Sequence, residues 1–254
     1  MSLGRTGTAF IANLLSQAQG ARVLHEQFPD DRTYFGLRYY GTMDISIDRY
    51  LHERFQLLMA QDPSILIYGE VNSYLRYEIE WLKIHLDPVL IHLVRDGRDF
   101  ARSAMKRDTY TPYDRQIQII PKDNDAYAER WHKMDRFQKI CWYWMHTNEF
   151  IANGIGTGHY VKFENIVTNH SYFKHNILNK VGLDIDSKTW KEHIDKPRNI
   201  SEHFIKKKIK YFLKSGGNKV EKKNFLPHHS KWHSEFQDKF DEICAGTMAK
   251  FGYY

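Results

Sequence analysis

The sequence predicts an α/β fold: a central, mostly parallel sheet with helices on both faces. Three observations predict it. Short apolar runs of strand length alternate with segments of helical period along the 254 residues. The strongest apolar run, Pro88–Val94, ends in a charged turn that opens a helix. The chain also opens on a glycine-rich turn, Gly4-Arg5-Thr6-Gly7-Thr8, that passes straight into a helical pattern.

Each element has its own signal. Phe10, Ile11, Leu14, Leu15 and Ala18 share one helical face over residues 9–19, and Gly20 stops that helix. Arg22–His25 reads as a short strand, followed by a long polar and helical stretch through Leu51–Ala60. Ser64–Tyr68 is a buried-strand run, and a helix covers Leu75–His85. After the Pro88–Val94 strand, Asp99–Arg107 is a helix, Tyr127–Ala152 a long helix, and His159–Phe163 a further strand. Helical patterns continue to Lys196, and an amphipathic helix closes the chain over Ser234–Phe251. No repeat interrupts this order, so residues 1–254 read as a single domain.

Composition narrows the function classes. At 42% hydrophobic and 15% aromatic, the chain can bury a sizeable core. It has no run of eighteen apolar residues and no signal-peptide pattern, which predicts a soluble, cytoplasmic protein without stable membrane insertion. Cys141 and Cys244 form no C-x-x-C pair and suit a reducing compartment. The net charge of +6 is local: from Lys206 to Lys231 nine lysines face one acid, Glu221, so that stretch carries +8 and the rest sums to −2. Residues 206–231 therefore read either as a solvated loop or as a flap over an anionic ligand. The slightly acidic remainder argues against a nucleic-acid-binding module, which needs basic residues and interleaved aromatics elsewhere. His228, His229 and His233 lie close together but lack a cysteine or acid at ligand spacing, so no metal is expected. Trp131, Trp142, Tyr143 and Trp144 read as an aromatic core cluster on the long helix.

Two segments carry anion chemistry. In the opening loop, a glycine-rich turn running into a helix aims backbone N–H groups at one spot, where the helix dipole favours negative charge. Arg5 adds a fixed cation, and Thr6 and Thr8 add hydroxyls. This is not the nucleotide-hydrolase loop, which has a longer turn and an invariant lysine. The second segment, Val94-Arg95-Asp96-Gly97-Arg98-Asp99, sits where the best strand ends, the edge at which open α/β sheets bind ligands. Arg95 and Ser103, eight residues on, can converge on one phosphate, while Asp96 and Asp99 cap or pair around the helix start.

Together and in this order, the two segments resemble the sulfotransferases that use 3′-phosphoadenosine 5′-phosphosulfate. In that family an [RK]-[ST]-G-[TS]-[TSA] loop holds the 5′-phosphosulfate and an R-D-x-R-D-x₃-S segment holds the 3′-phosphate. Gly4, Arg5, Thr6, Gly7, Thr8 and Ala9 match the first, and Arg95 through Ser103 match the second with the spacing intact. Tyr68–Leu75, Tyr160–Ile166 and the closing Lys231-Trp232…Cys244…Met248…Phe251-Gly252-Tyr253 are also similar to bacterial members. The resemblance implies a P-loop-like phosphosulfate loop, with Lys231 among the donor-binding residues and no metal. Its implied reaction is transfer of a sulfuryl group to a hydroxyl of a carbohydrate, lipid or small molecule. It also implies a strand before the loop, of which only Met1-Ser2-Leu3 are present, so the first strand reads as truncated. Arg5 takes the role of stabilising the leaving phosphate. Three residues are candidates for the general base: Glu26, then Glu70 after the Ile65–Tyr68 strand, then His25. A small-molecule or nucleotide kinase is the alternative enzyme. It would need a lysine in the loop and an acidic metal ligand after the strand, where Arg95 stands instead. The acceptor and the oligomeric state are not encoded in any motif.

Overall fold

The structure, a computed structural model, describes residues 1–41, 44–59, 64–114, 118–156, 158–196 and 226–254. The opening turn leads into helix α1 (Thr8–Leu15), which ends before the turn at Gly20, and strand β1 (Ala21–His25) follows. Helices α2 (Asp31–Tyr40) and α3 (Asp44–Met59) precede strand β2 (Ile67–Val71). A tight turn over Leu75–Glu78 runs into α4 (Ile79–Leu86), and strand β3 (His92–Val94) leads into α5 (Gly97–Met105). Then come the long α6 (Arg136–Ile155), strand β4 (Tyr160–Lys162), the short helices α7 (Phe163–Thr168), α8 (His170–Phe173) and α9 (Asn179–Val181), and α10 (Ser187–Asp195). The last helix is α11 (Ser234–Lys250).

Helices dominate the strands, and among the described residues all the strand pairing is parallel. β1 pairs with β2 in the register Ala21↔Ile67 to His25↔Val71, and β3 pairs with β4 from His92↔Tyr160 to Val94↔Lys162. Among the described residues these are two separate two-stranded sheets, where the sequence predicted one central sheet. Met1–Leu3 runs beside β3: Ser2 bridges Leu93 in parallel, and Leu93 donates its N–H to the Met1 carbonyl at 2.9 Å. Val23, Val71, Leu93 and Val161, one from each strand, share a single core with Ile11, Leu14 and Leu15 of α1. Fully burying side chains of this kind contributes about 1.5–3 kcal/mol each.

A second core joins α5, α6 and α11. Phe100, Ala101 and Ala104 meet Ile140, Trp142 and Trp144, with Phe240, Ile243 and Met248 closing the other side. Trp142 and Trp144 are fully buried, as expected of a core cluster, but Trp131 stands in a turn before α6 and meets Trp142 edge-on at 5.0 Å. Cys141 and Cys244 are free, buried and adjacent, the Cys244 thiol donating to the Cys141 carbonyl at 3.5 Å.

Several boundaries differ from the sequence expectation for local reasons. α6 starts at Arg136, not Tyr127, because Asp135 accepts from the Gln138 N–H while the Gln138 side chain accepts from the Asp135 N–H. β2 starts at Ile67 because pairing begins there; Leu66 before it is exposed, and the N–H groups of Leu66 and Ile67 share the Gly20 carbonyl. β3 shrinks to three residues because its partner, β4, is three residues long. Of the lysine-rich stretch, residues 206–225 lie outside the described residues; its end forms the turn His229–Lys231. Among the described residues no helix is long and apolar enough to cross a membrane.

Candidate functional site

The opening loop is built by two left-handed residues. Arg5 has φ 72° and Gly7 φ 78°. Gly7 is required on two counts, since a Cβ there would also lie 2.1 Å from the Phe163 ring. A non-glycine residue such as Arg5 in that region is strained, a feature that clusters where a chain must hold a ligand. The Thr6 hydroxyl turns inward and donates to the Leu3 carbonyl at 2.7 Å, which ties the loop to itself. The Thr8 hydroxyl lies 2.8 Å from His25 Nε2. Gly4 and Ala9 flank these residues, with Ala9 exposed at the start of α1.

The turn from β3 to α5 meets this loop. Asp96 caps α5 by accepting from the Arg98 N–H at 2.8 Å and pairs with the Arg98 guanidinium at 2.6 Å. Its own N–H donates to Glu164 Oε1 at 3.0 Å, and Glu164 Oε2 accepts from the Tyr253 hydroxyl at 2.9 Å, which fixes the turn against the closing residues of the chain. Arg95, at the tip of β3, donates from Nη1 to the Arg5 carbonyl at 3.0 Å. Arg5 Nε donates to Ser103 Oγ at 3.3 Å. Arg5, Arg95 and Ser103, which are 90 and 98 positions apart along the chain, thus form one cluster. Desolvation, then the charges of Arg107 and Arg95, hold the Arg5 guanidinium below its ordinary pKa. Arg107, four residues after Ser103, was not singled out by sequence reading.

The three candidate bases have different surroundings. Glu26 follows β1 directly, at φ 45°, and its Oε1 accepts a short hydrogen bond from the Ser73 hydroxyl. His25 Nε2 lies 3.9 Å from the same Glu26 oxygen, so it stands between Thr8 and Glu26. Ser73 Oγ is also 3.7 Å from where a Cβ on Gly4 would lie, which places this hydroxyl between the loop and Glu26. Arg76, only 2% exposed, fixes Ser73 by donating to its carbonyl, and reaches the Tyr143 hydroxyl at 2.8 Å. Ser73 lies in the Tyr68–Leu75 stretch that carried the family resemblance, but neither it nor Arg76, in the expected Leu75–His85 helix, was singled out as a site residue.

Glu70 is differently placed. It lies within β2, opposite Leu24, and not after the strand as expected. Arg54 donates to both of its oxygens, and Tyr68 Oη and Asn72 Nδ2 add hydrogen bonds of 2.5 and 3.1 Å. Arg54 also pairs with buried Asp31 at 2.7 Å.

Lys231 is exposed in the His229–Lys231 turn, and among the described residues no hydrogen bond or ion pair joins its side chain to Arg5, Arg95 or Ser103. The rings of His228 and His229 are 4.2 Å apart, and among the described residues no group of three His, Cys, Asp or Glu has the arrangement of a metal site.

What the cluster offers chemically is a set of guanidinium, hydroxyl and backbone N–H donors for phosphate-like oxygens, next to a carboxylate and an imidazole. Compared with known proteins, the chain matches no protein-family model and no curated protein.

Proposed function

We propose that this protein is a sulfotransferase that moves a sulfuryl group from 3′-phosphoadenosine 5′-phosphosulfate to a hydroxyl acceptor. The observation that supports it best is the meeting of Arg5, Arg95 and Ser103. These residues match two separate anion motifs in the sequence, and they meet where the tip of β3 and α5 face the opening loop, Arg95 on the Arg5 carbonyl and the Arg5 guanidinium on Ser103. In the proposed reaction the acceptor oxygen attacks sulfur as the bond from sulfur to the phosphate oxygen breaks. Arg5 and the loop N–H groups neutralise the charge gathering on the departing phosphate, and Glu26 takes the acceptor's proton. The products are the sulfated acceptor and 3′,5′-adenosine bisphosphate.

The acceptor class is a carbohydrate, lipid or small-molecule hydroxyl, and the setting is cytoplasmic; two unpaired cysteines support the latter. The central sheet and P-loop-like phosphosulfate loop of the resemblance belong to the same proposal, supported by parallel pairing on both sides and by a core shared by all four strands.

Calorimetry with 3′,5′-adenosine bisphosphate tests it, with ATP–Mg²⁺ and single-stranded DNA as parallel arms. Binding of the bisphosphate and of neither competitor is the expected result. Absence of bisphosphate binding overturns the proposal, and saturable ATP–Mg²⁺ binding in its place would favour the kinase.

A further inference from the structure

We propose that the cavity between α2, the Leu75–Glu78 turn and α6 binds a planar aromatic acid that carries a ring N–H or O–H donor. It encloses about 460 Å³, within the range of small-molecule sites. None of its lining residues belongs to the Arg5–Arg95–Ser103 cluster, so this is a second site that does not depend on the sulfuryl-transfer reading. Its walls are rings. Tyr77 meets Tyr39 at 5.1 Å and Phe150 at 4.6 Å, and Phe150 stays 39% exposed at the edge.

Most of the polar groups here are already engaged within the protein. Arg38 bonds Asp48 at 2.7 Å and Glu78 at 2.9 Å. Asp125 accepts from the Trp142 indole at 3.1 Å and from the Tyr127 N–H at 2.8 Å. The Tyr39 hydroxyl donates to the Ile120 carbonyl at 2.6 Å.

The groups left over select the ligand. Lys122 lines the cavity with its Nζ 4.9 Å over the Tyr39 ring, and among the described residues its side chain makes no ion pair or hydrogen bond. A cation held in this way on an aromatic face suits a carboxylate. His146 Nδ1 faces Asp125 Oδ2 at 3.4 Å, which keeps the ring proton on that side and leaves Nε2 as an acceptor. Nε2 is buried without a partner, and so is the Tyr77 hydroxyl. Arg76 Nε and Thr147 Oγ1, on the residues next to these two along the chain, are buried and unpartnered as well. Buried polar atoms are nearly always bonded, so a group of four on and beside two lining residues marks a place for outside partners. The rings call for a flat apolar body, Lys122 for an anionic end and His146 Nε2 for a donor.

The test is calorimetry with indole-3-acetate, its methyl ester, which lacks the charge, and its 1-methyl analogue, which lacks the N–H. The wild type should bind the acid about tenfold more tightly than the ester and about fivefold more tightly than the 1-methyl analogue. Lys122→Met should weaken the acid about tenfold and leave the ester within about twofold. Lys180→Met, which removes an exposed cation that does not line the cavity, should leave the acid within about twofold. His146→Phe should weaken the acid and leave the 1-methyl analogue within about twofold; if that variant does not fold, the wild-type comparison of these two ligands decides the Nε2 contact alone. Saturating 3′,5′-adenosine bisphosphate should not displace the acid. Failure of the acid to bind at millimolar concentration, equal affinity for the acid and either analogue, equal effects of Lys122→Met and Lys180→Met, or displacement by the bisphosphate each overturn the inference. In every one of these outcomes the nucleotide reading is judged separately, by bisphosphate binding itself.

Discussion

Arg54 grips both oxygens of Glu70, Nη1 at 2.8 Å from Oε1 and Nη2 at 2.5 Å from Oε2, with no side-chain exposure of its own. The same guanidinium binds both oxygens of Asp31, at 2.7 and 2.8 Å, so one cation holds two buried carboxylates. Its pKa is raised: burial opposes the charge, but the hydrogen bonds to Asp31 and Glu70 outweigh it.

This network predicts an order of stability losses. Arg54→Met leaves two carboxylates buried without a cation and should cost about 3–5 kcal/mol. Glu70→Gln keeps the Arg54–Asp31 pair and should cost about 1–3 kcal/mol. Urea unfolding of the two variants checks it; a larger loss from Glu70→Gln would mean that Arg54 is not the hub.

The candidate base is tested by separating binding from turnover. Glu26→Gln should leave bisphosphate affinity within about twofold while sulfuryl transfer falls at least about 10²-fold. An acceptor-library screen with labelled donor supplies the assay. Glu70→Gln is the matched control, and its effect should appear mainly in stability. If Glu70→Gln abolishes transfer in a folded protein and Glu26→Gln does not, Glu70 is the base. If both remain active, His25 takes the role.

At the second anion motif the two phosphate contacts should be unequal. Arg95→Ala removes a charge-assisted bond of about 1.5–3 kcal/mol, and Ser103→Ala a neutral one of roughly 1 kcal/mol. Calorimetric titration of each variant with 3′,5′-adenosine bisphosphate measures the difference. Equal losses would mean that Arg95 does not face the phosphate.

Gly7 should not tolerate a side chain. Gly7→Ala meets the Phe163 ring and forces alanine to φ 78°, so melting temperature and bisphosphate affinity should fall together. Adding Phe163→Leu should recover only part of the loss, because it relieves the clash and not the backbone. Full recovery would show that the left-handed conformation costs little there.

His92 sets an acid limit on stability. It is buried, Nε2 lies 3.0 Å from Asn148 Oδ1, and burial pushes its pKa down to about 3. The unfolded value is about 6.5. The native state therefore binds the proton less well, and the contribution of neutral His92 is complete above about pH 6.5. It is lost as the pH falls toward 3, at up to about 1.4 kcal/mol per pH unit. Urea midpoints of the wild type and His92→Gln across this range should diverge at high pH and converge at low pH. Parallel curves would refute the assignment.

By itself the sequence determined what local periodicity and turn chemistry can encode. The α1 face of Ile11, Leu14 and Leu15, the strand at Arg22–His25, the Asp96 cap and the last helix all follow from spacing within a few residues. The glycine-rich loop and the Arg95–Ser103 spacing were legible for the same reason: each motif is contiguous.

Only the tertiary structure decided which side chains share a charge. Glu26 and Glu70 look alike in sequence, each at a short strand near a histidine or tyrosine, yet Ser73 bonds to one and Arg54 encloses the other. The start of β2 moved because the Gly20 carbonyl, 47 positions before Ile67, sets where pairing begins. Arg5, Arg95 and Ser103 came together only because the opening loop, the tip of β3 and α5 pack against one another. Ion pairing and desolvation depend on distance in space, and a chain fixes such distances only once its cores have packed.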